Sequence, residues 1–392
     1  MGDSTWFTGL HGSAYLSMGE IAAALLDMRR WNDNAIDLAG NTATLWAARK
    51  GHGAVVRVLL KRGDVTPNTA DENGLTPLAW AAENGDEEIV KIILEREDVT
   101  PNTADEDGRT PLSRAARNGH EEIVKIILKR EDVTPNTADE DDRTPLMLAI
   151  EKGYKGVVKS LLEREDVTPN TADNGGRTPL MRAVKMGRGD IVKLLLERED
   201  VTPNTTDIDG RTPLLWASGS GDGEIVKILL GREDVTYNIS DKDGRTPLSQ
   251  AAGNGCEEIV KILLDVEDVT PNTVDEYGRT PLSLAAGNGD KEMVKILLER
   301  GDVAPDVADK DGQTPFSWGV RNGHQGIVNM LLEREDVAPD TADKDGRTPL
   351  SWAAGKGYQD LVTILLSRED VTPDCADKGG ANTSLVGSKF LA

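Results

Sequence analysis

A Thr-Pro dipeptide followed by Leu or Phe returns every 34 residues along this 392-residue chain, and this period restricts the fold more than any other feature. The nine copies begin at Thr76, Thr110, Thr144, Thr178, Thr212, Thr246, Thr280, Thr314 and Thr348. The same register, without the proline, extends back to Thr42 and Thr8. A fixed period of this length indicates one supersecondary unit stacked many times, with each unit contacting its neighbours.

The prolines indicate that a single array fills the chain. Nine of the 18 prolines belong to the Thr-Pro motif, and the other nine share one further repeat position, from Pro67 to Pro373. No proline-rich linker therefore interrupts the array. Because the terminal units of a solenoid must cover their apolar faces, we expect a divergent N-terminal capping repeat at residues 1–41, ten repeats at 42–379 and a truncated C-terminal cap or tail at 380–392.

One unit, residues 105–139, shows how local signals specify the repeat. Thr110 predicts a helix N-cap, with a proline at the first helical position, where no N–H donor is needed. Gly119 predicts the end of that helix in the left-handed conformation. A second helix is expected over residues 121–128, because their apolar side chains lie on one helical face. Gly108 follows an aspartate at the expected tip of a hairpin.

The segment from Asp105 to Leu128 carries the pattern D-x-D-G-x-T-P-L-x-x-A-A-x-x-G-H-x-E-I-V-x-x-L-L and resembles the ankyrin repeat family. The resemblance is strong over residues 42–379 and weak over 1–41. It implies an all-α repeat solenoid of stacked helix-turn-helix units with protruding β-hairpin loops, curved with a concave groove. The 34-residue unit is longer than the commoner unit of about 33 residues, and it is similar to the long arrays of filamentous fungi.

Charge and composition restrict the expected partners and location. The net charge is -23, from 45 Lys and Arg against 68 Asp and Glu. A surface this acidic repels phosphate backbones and anionic lipids, so neither nucleic acid nor a membrane is an expected partner. The longest apolar run near the N-terminus, residues 21–26, is too short for a signal peptide or a membrane span. We therefore expect a cytoplasmic or nuclear protein, with Cys256 and Cys375 too far apart to form a disulfide.

No catalytic, cofactor-binding or metal-binding residue is predicted. His52, His120 and His324 share one repeat position, and His11 occupies another position of the pattern, which is typical of structural residues. No cysteine and histidine cluster has zinc spacing, and no glycine-rich phosphate loop is present. The acidic residues recur with the repeat, whereas a catalytic carboxylate pair would be a single feature in a cleft. We expect neither an enzyme nor a cofactor.

The family resemblance implies that a partner lies against the hairpins and the row of first helices. Three positions per repeat describe this row: two residues after the Leu or Phe of the motif, and three and four residues beyond that. The expected partner-binding residues of the row are Trp46, Arg49, Lys50, Trp80, Arg114, Arg117, Lys152, Arg182, Lys185, Trp216, Trp318 and Trp352. These three positions hold nine basic and two acidic side chains, so the expected partner segment is acidic or carboxylate-rich.

The row also leads to two expectations about burial. The basic side chains are expected at the surface rather than in the core. Each tryptophan either packs between adjacent first helices or anchors the partner with an exposed face.

Three hairpin positions depart from the repeat pattern. Ile208 and Tyr277 place apolar side chains where most repeats carry Asp, Glu or Lys, and both are candidate partner contacts. Asp142 replaces the tip glycine, so the coupling between neighbouring repeats is expected to be weakest across residues 142–175.

The leading functional hypothesis is a monomeric, non-catalytic scaffold that binds a protein or peptide partner in the concave groove. An enzyme or a small-molecule-binding protein would instead need an enclosed pocket with converging polar groups, and the irregular residues 142–237 are where we would search for it. A passive structural spacer is the third hypothesis, because recent duplication explains near-identical repeats without any ligand.

Overall fold

A computed structural model describes residues 7–28 and 32–373 of the chain, and within these ranges it contains 22 helices and no β-strand. The predicted cap or tail at 380–392 and Cys375 lie outside the described residues. None of the described helices is long and apolar enough to cross a membrane. The helices are α1 (Gly9–Tyr15), α2 (Gly19–Asp27), α3 (Ala43–Arg49), α4 (Gly53–Leu60), α5 (Pro77–Asn84), α6 (Glu87–Leu94), α7 (Pro111–Asn118), α8 (Glu121–Leu128), α9 (Pro145–Lys152), α10 (Lys155–Leu162), α11 (Pro179–Lys185), α12 (Gly189–Leu196), α13 (Pro213–Ser220), α14 (Gly223–Leu230), α15 (Pro247–Gly253), α16 (Glu257–Leu264), α17 (Pro281–Asn288), α18 (Lys291–Glu299), α19 (Pro315–Arg321), α20 (Gln325–Leu332), α21 (Pro349–Lys356) and α22 (Gln359–Leu366).

The helices form two compact units, residues 1–202 with α1–α12 and residues 203–392 with α13–α22. Within each unit, first helices pack on first helices and second helices on second helices. In the first unit, α1 packs on α3 and α2 packs on α4. The capping role of residues 1–41 stays a prediction.

The unit at residues 105–139 confirms the local predictions made from the motif. The hydroxyl of Thr110 accepts a hydrogen bond from the N–H of Ser113 at 3.2 Å and so caps α7. Gly119 ends α7 with a left-handed φ of 81°. Ile123 and Ile127 of α8 are almost completely buried, and burial of a side chain of this size contributes about 1.5–3 kcal/mol. The repeat is therefore a capped helix pair with an apolar interior face.

The loop between successive helix pairs is a tight turn built around an aspartate. The Asp105 Oδ1 atom accepts hydrogen bonds from the N–H groups of Asp107 and Arg109, each at 2.9 Å. The N–H of Asp105 donates to the carbonyl of Arg109 at 3.0 Å and closes the turn. A further bond, from the N–H of Glu106 to the carbonyl of Asn73 at 3.1 Å, joins this loop to the preceding one. The expected hairpins are thus turns, without strands in the described ranges.

A repeated asparagine also joins neighbouring repeats. The Asn102 amide donates to the carbonyl of Asp132 at 2.6 Å, and its oxygen accepts from the N–H of Thr134 at 2.9 Å. This asparagine therefore satisfies one donor and one acceptor of the next repeat. The same pair of bonds is made by Asn68, Asn136, Asn170, Asn204 and Asn238.

Asp306 replaces this asparagine, and its Oδ1 atom is buried without a hydrogen-bond partner in the described structure. Burial and the charge of Asp336 raise the pKa of Asp306, whereas the hydrogen bond from the Ala338 N–H lowers it. The net pKa lies above the ordinary value. The pKa of Asp306 is thus higher in the folded protein than in the unfolded chain. At a pH below the ordinary pKa this carboxyl therefore stabilises the fold, and the stabilisation is lost as the pH rises through the folded-state pKa.

Asp306→Asn is therefore expected to stabilise the surrounding repeats by about 1 kcal/mol near neutral pH, because the amide gains a donor for the carbonyl of Asp336. Asn272 makes the equivalent bond to the carbonyl of Asp302 at 2.7 Å. The gain should shrink as the pH is lowered through the raised pKa of Asp306, because the protonated carboxyl then donates to the same carbonyl as the amide does. Thermal unfolding of both proteins across this pH range measures the effect. A gain that is independent of pH would contradict the role of the carboxyl proton.

Asp142 occupies the tip position with a left-handed φ of 57°, which is otherwise adopted by glycine in these loops. In the preceding pair of loops, the N–H of Glu140 donates to the carbonyl of Asp107 at 3.1 Å. The corresponding bond here, from the N–H of Asn174 to the carbonyl of Asp141, is absent from the described structure. A Cβ atom at Gly108 would approach the Glu140 nitrogen to 3.1 Å. Within the described residues, the N–H of Glu72 likewise makes no bond to the carbonyl of Ala39, although the tip residue there is Gly40, so a tip side chain is not required for the loss of this bond.

Amide hydrogen exchange is expected to be faster across residues 142–175 than across 246–300. The reason is the missing loop bond, since the stability of a repeat array depends on the interfaces between neighbouring units. Exchange mass spectrometry of the intact protein measures this difference. Equal protection in both segments would show that the loop bond does not limit local opening.

Candidate binding surface on the first helices and loops

The five tryptophans of the row are half-buried, and each one is bonded to the loop aspartate nine residues before it. The indole N–H of Trp80 donates to the Asp71 Oδ2 atom at 2.9 Å, and Asp71 is 8% exposed. Each such tryptophan therefore secures its own loop and leaves part of its ring accessible. The other pairs are Trp46–Asp37 at 2.7 Å, Trp216–Asp207 at 2.9 Å, Trp318–Asp309 at 2.9 Å and Trp352–Asp343 at 3.0 Å.

These bonds affect the charge of the loop aspartate. Burial raises the pKa of Asp37, whereas hydrogen bonds from the Asn41 N–H and the Trp46 indole lower it, and the net pKa lies below its ordinary value. The carboxylate therefore stays ionised and holds the N–H groups of the turn.

Arg114 and Arg182 take the place of tryptophan in this arrangement. The Arg114 guanidinium donates to Asp105 at 2.6 Å and to Glu83 of the preceding repeat at 2.9 Å. Arg182 bonds in the same way to Asp173 and to Glu151. The predicted surface position of the basic residues is wrong here, because Arg114 is only 9% exposed and the Arg182 side chain only 13%. The two acidic side chains of the row are the partners of these arginines.

Where the row residue is leucine, the arginine after the loop tip supplies the donor instead. Arg143 bonds to the Asp139 Oδ2 atom at 2.9 Å in the repeat that contains Leu148. In the repeat that contains Leu284, the corresponding bond joins Arg279 to Asp275 at 2.9 Å. In these repeats the loop aspartate thus receives its side-chain donor from the arginine after the loop tip instead of from the row residue.

Several other basic residues of the row lie against aromatic rings rather than carboxylates. The Arg49 guanidinium lies 5.5 Å from the Trp46 ring centre and 4.6 Å from the Trp80 ring centre. Lys50 lies 4.8 Å from the ring of Tyr15, which sequence reasoning had not selected. Such cation–π contacts contribute about 0.5–1 kcal/mol at exposed sites and keep the cation available to solvent.

A second stack of this kind belongs to the other unit. Arg321 lies 5.0 Å from the Trp318 ring centre and 4.6 Å from the Trp352 ring centre. Arg117 is half-buried, whereas Lys152 and Lys185 are exposed. The row therefore contains two stacks of tryptophan and arginine, one in each unit.

The candidate contacts at the loop tips are exposed, as expected from their positions. Ile208 is 57% exposed and Tyr277 is 54% exposed. The Tyr277 ring lies 4.8 Å from the Arg279 guanidinium. Val274 is also exposed, at 44%, and is not among the contacts predicted from the sequence. The available signal for this exposed apolar residue was a valine at a position where several repeats carry alanine. These three apolar side chains belong to the loops of the second unit.

A cavity of about 250 Å³ opens beside Trp216 in the second unit. The cavity lies beside the small residues at the end of α13. Its two arginines, Arg211 and Arg245, stand directly after the loop tips of successive repeats. Sequence reasoning did not select these arginines, although Gln250 in place of the usual row residue was a visible irregularity. The lining residues are Arg211, Leu215, Trp216, Gly219, Ser220, Arg245 and Gln250.

The capped helix pairs and linked turns define a solenoid of helix-turn-helix repeats. The family model described as "Ankyrin repeats (3 copies)" matches residues 63–139, 97–173, 131–207, 200–275, 266–341 and 304–378. The model described as "Ankyrin repeat" matches residues 39–72. The chain belongs to the ankyrin repeat family, whose repeats generally serve as protein–protein interaction modules. Comparison with curated proteins found no match.

Proposed function

We propose that the protein is a non-catalytic scaffold that binds a protein or peptide partner across its loop tips and first-helix row. The observation that carries this proposal is the exposure of Ile208 and Tyr277, each more than half accessible on a loop of the second unit. Large apolar side chains at positions that most repeats fill with charged residues gain free energy when a partner covers them. Their exposure also argues against a passive spacer, which needs no such groups.

The charge of the row supports an acidic partner segment. Arg49, Lys50, Lys152 and Arg321 lie on the row without the buried carboxylate bonds that hold Arg114. Complementary charge would raise the association rate and exclude partners of the wrong sign, while the net charge of -23 disfavours nucleic acid. Arg114 and Arg182 are left out of the proposed contact, because carboxylates of the chain already satisfy them.

A small-molecule site is supported less well than a peptide site. The cavity beside Trp216 measures about 250 Å³, and ligand pockets usually span about 300–1,000 Å³. A cavity below that range suits one side chain of a peptide. The cavity also lacks a nucleophile and base pair of the kind that covalent catalysis needs.

Quantitative affinity capture tests the proposal with the wild-type protein and the double variant Ile208→Ser, Tyr277→Ser. A specific partner is expected to lose affinity by about tenfold or more, because exposed apolar residues at the centre of an interface dominate binding. The control is Lys227→Ser, Glu258→Ser, which removes an exposed ion pair of 3.0 Å on the second helices of the same unit. Equal capture by all three proteins would refute binding through these loops.

A further inference from the structure

The repeat that contains Asp241 lacks the side-chain bond that secures the other loop aspartates. Within the described residues, Asp241 accepts bonds from the N–H groups of Asp243 and Arg245, at 3.0 and 2.8 Å, but from no side chain. Its row residue is Gln250, which makes no side-chain hydrogen bond in the described structure. The arginine that serves Asp139 and Asp275 in their repeats corresponds here to Arg245, which does not take that role.

Arg245 instead lines the cavity beside Trp216, together with Arg211. The Arg211 guanidinium lies 5.0 Å from the Trp216 ring centre. Each arginine has a carboxylate of its own loop nearby, Asp209 at 3.4 Å from Arg211 and Asp243 at 4.0 Å from Arg245. These carboxylates are about half exposed, so solvent screens both pairs and leaves the guanidinium donors available.

Gly219 leaves part of the cavity open because it has no side chain. A Cβ atom at Gly219 would lie 3.1 Å from the Gln250 side chain, so a larger residue would push that side chain into the open volume. The space is therefore bounded by an indole face, two guanidinium groups and a carboxamide. This combination offers an apolar wall beside several hydrogen-bond donors, with no acidic side chain in the lining.

We propose that the cavity beside Trp216 binds a carboxylate side chain of the partner, with an apolar neighbour of that residue against the indole. The inference rests on the proposed function and names the partner chemistry at one place on its surface. Arginine guanidinium groups bind carboxylates through paired hydrogen bonds, and Gln250 adds a further donor. Ile208 and Tyr277, on loops of the same unit, contact apolar residues elsewhere in the same acidic segment.

The direct test uses the full chain and two peptides that differ by one atom group. The probes are acetyl-Gly-Ser-Phe-Glu-Leu-Gly-Ser-amide and the same peptide with Gln in place of Glu, at concentrations on the order of 10 mM. Nuclear magnetic resonance follows the indole N–H of Trp216, assigned through Trp216→Phe, and the side-chain N–H groups of Arg211 and Arg245. The Glu peptide is expected to shift these signals, and the Gln peptide to leave them nearly unchanged.

Equal shifts with both peptides, or no shift with either, would overturn the assignment of a carboxylate site. Inorganic phosphate serves as a third probe. A response to phosphate that exceeds the response to the Glu peptide would also overturn the proposal, since the cavity would then select phosphate.

Variants separate this inference from the proposed function. Arg211→Ser, Arg245→Ser is expected to weaken the Glu peptide and the captured partner by about tenfold. Arg109→Ser, Arg177→Ser is the control, because it removes equal charge at the same repeat position of the first unit. A partner that binds the cavity variant normally but loses affinity for the Ile208 and Tyr277 variant would refute the cavity site and uphold the proposed function. Undiminished binding by both variants would refute the two proposals together.

Discussion

Arg114→Leu is expected to destabilise the first unit by about 3 kcal/mol. The Arg114 side chain is 11% exposed and bonds to Asp105 and Glu83, so its removal leaves the almost fully buried Asp105 carboxylate without a side-chain partner. Breaking a buried ion pair from one side costs about 3–5 kcal/mol, and the partial exposure of Glu83 places the effect near the lower end. Urea unfolding measures the change, and hydrogen exchange should locate it around residues 83–118.

Arg114→Trp is the matched variant for this experiment. Tryptophan bonds to the equivalent aspartate in other repeats, as Trp80 does to Asp71 at 2.9 Å. The substitution should therefore recover most of the stability lost with leucine, although Glu83 remains without its arginine. If the leucine and tryptophan variants were equally destabilised, the donor to Asp105 could not be the reason for the effect.

Gly278→Ala is expected to destabilise the second unit by about 2–3 kcal/mol. Gly278 has a φ of 83°, and an added Cβ atom would lie 2.8 Å from the backbone nitrogen of Lys310 in the next loop. The side chain would cost about 1–2 kcal/mol for the left-handed backbone and about 1 kcal/mol for the bond from the Lys310 N–H to the Tyr277 carbonyl. Exchange of the Lys310 amide and urea unfolding both report this change.

Gly221→Ala separates the two costs. This glycine has a φ of 81°, but an added Cβ atom meets only the Cys256 sulfur, at an ordinary contact distance of 3.6 Å. We expect only the backbone cost, about 1–2 kcal/mol, with the Lys310 amide still protected. Equal destabilisation by the two variants would show that contact between the loops adds nothing.

The sequence alone was sufficient for the repeat and for its helices. Thr110 as a cap, Gly119 as a helix end and the apolar stripe of residues 121–128 are local signals, and each is satisfied within one turn or one helix. The 34-residue period carried these signals along the chain and identified the family. The exposure of Ile208 and Tyr277 was likewise predictable, because both stand at loop positions that are charged in most other repeats.

The partners of the row residues were decided by the tertiary structure. The row reads as a line of basic and aromatic side chains, yet Arg114 is an internal ion-pair partner, whereas Arg49 lies between two indole rings. Arginine and tryptophan are equivalent there because each places an N–H donor at a buried carboxylate nine residues earlier. That separation becomes a contact only when the loop folds back on its helix. The cavity beside Trp216 was likewise decided by the tertiary structure. Arg245 and Gln250 line it and, within the described structure, donate no side-chain hydrogen bond to Asp241, unlike the equivalent residues of other repeats.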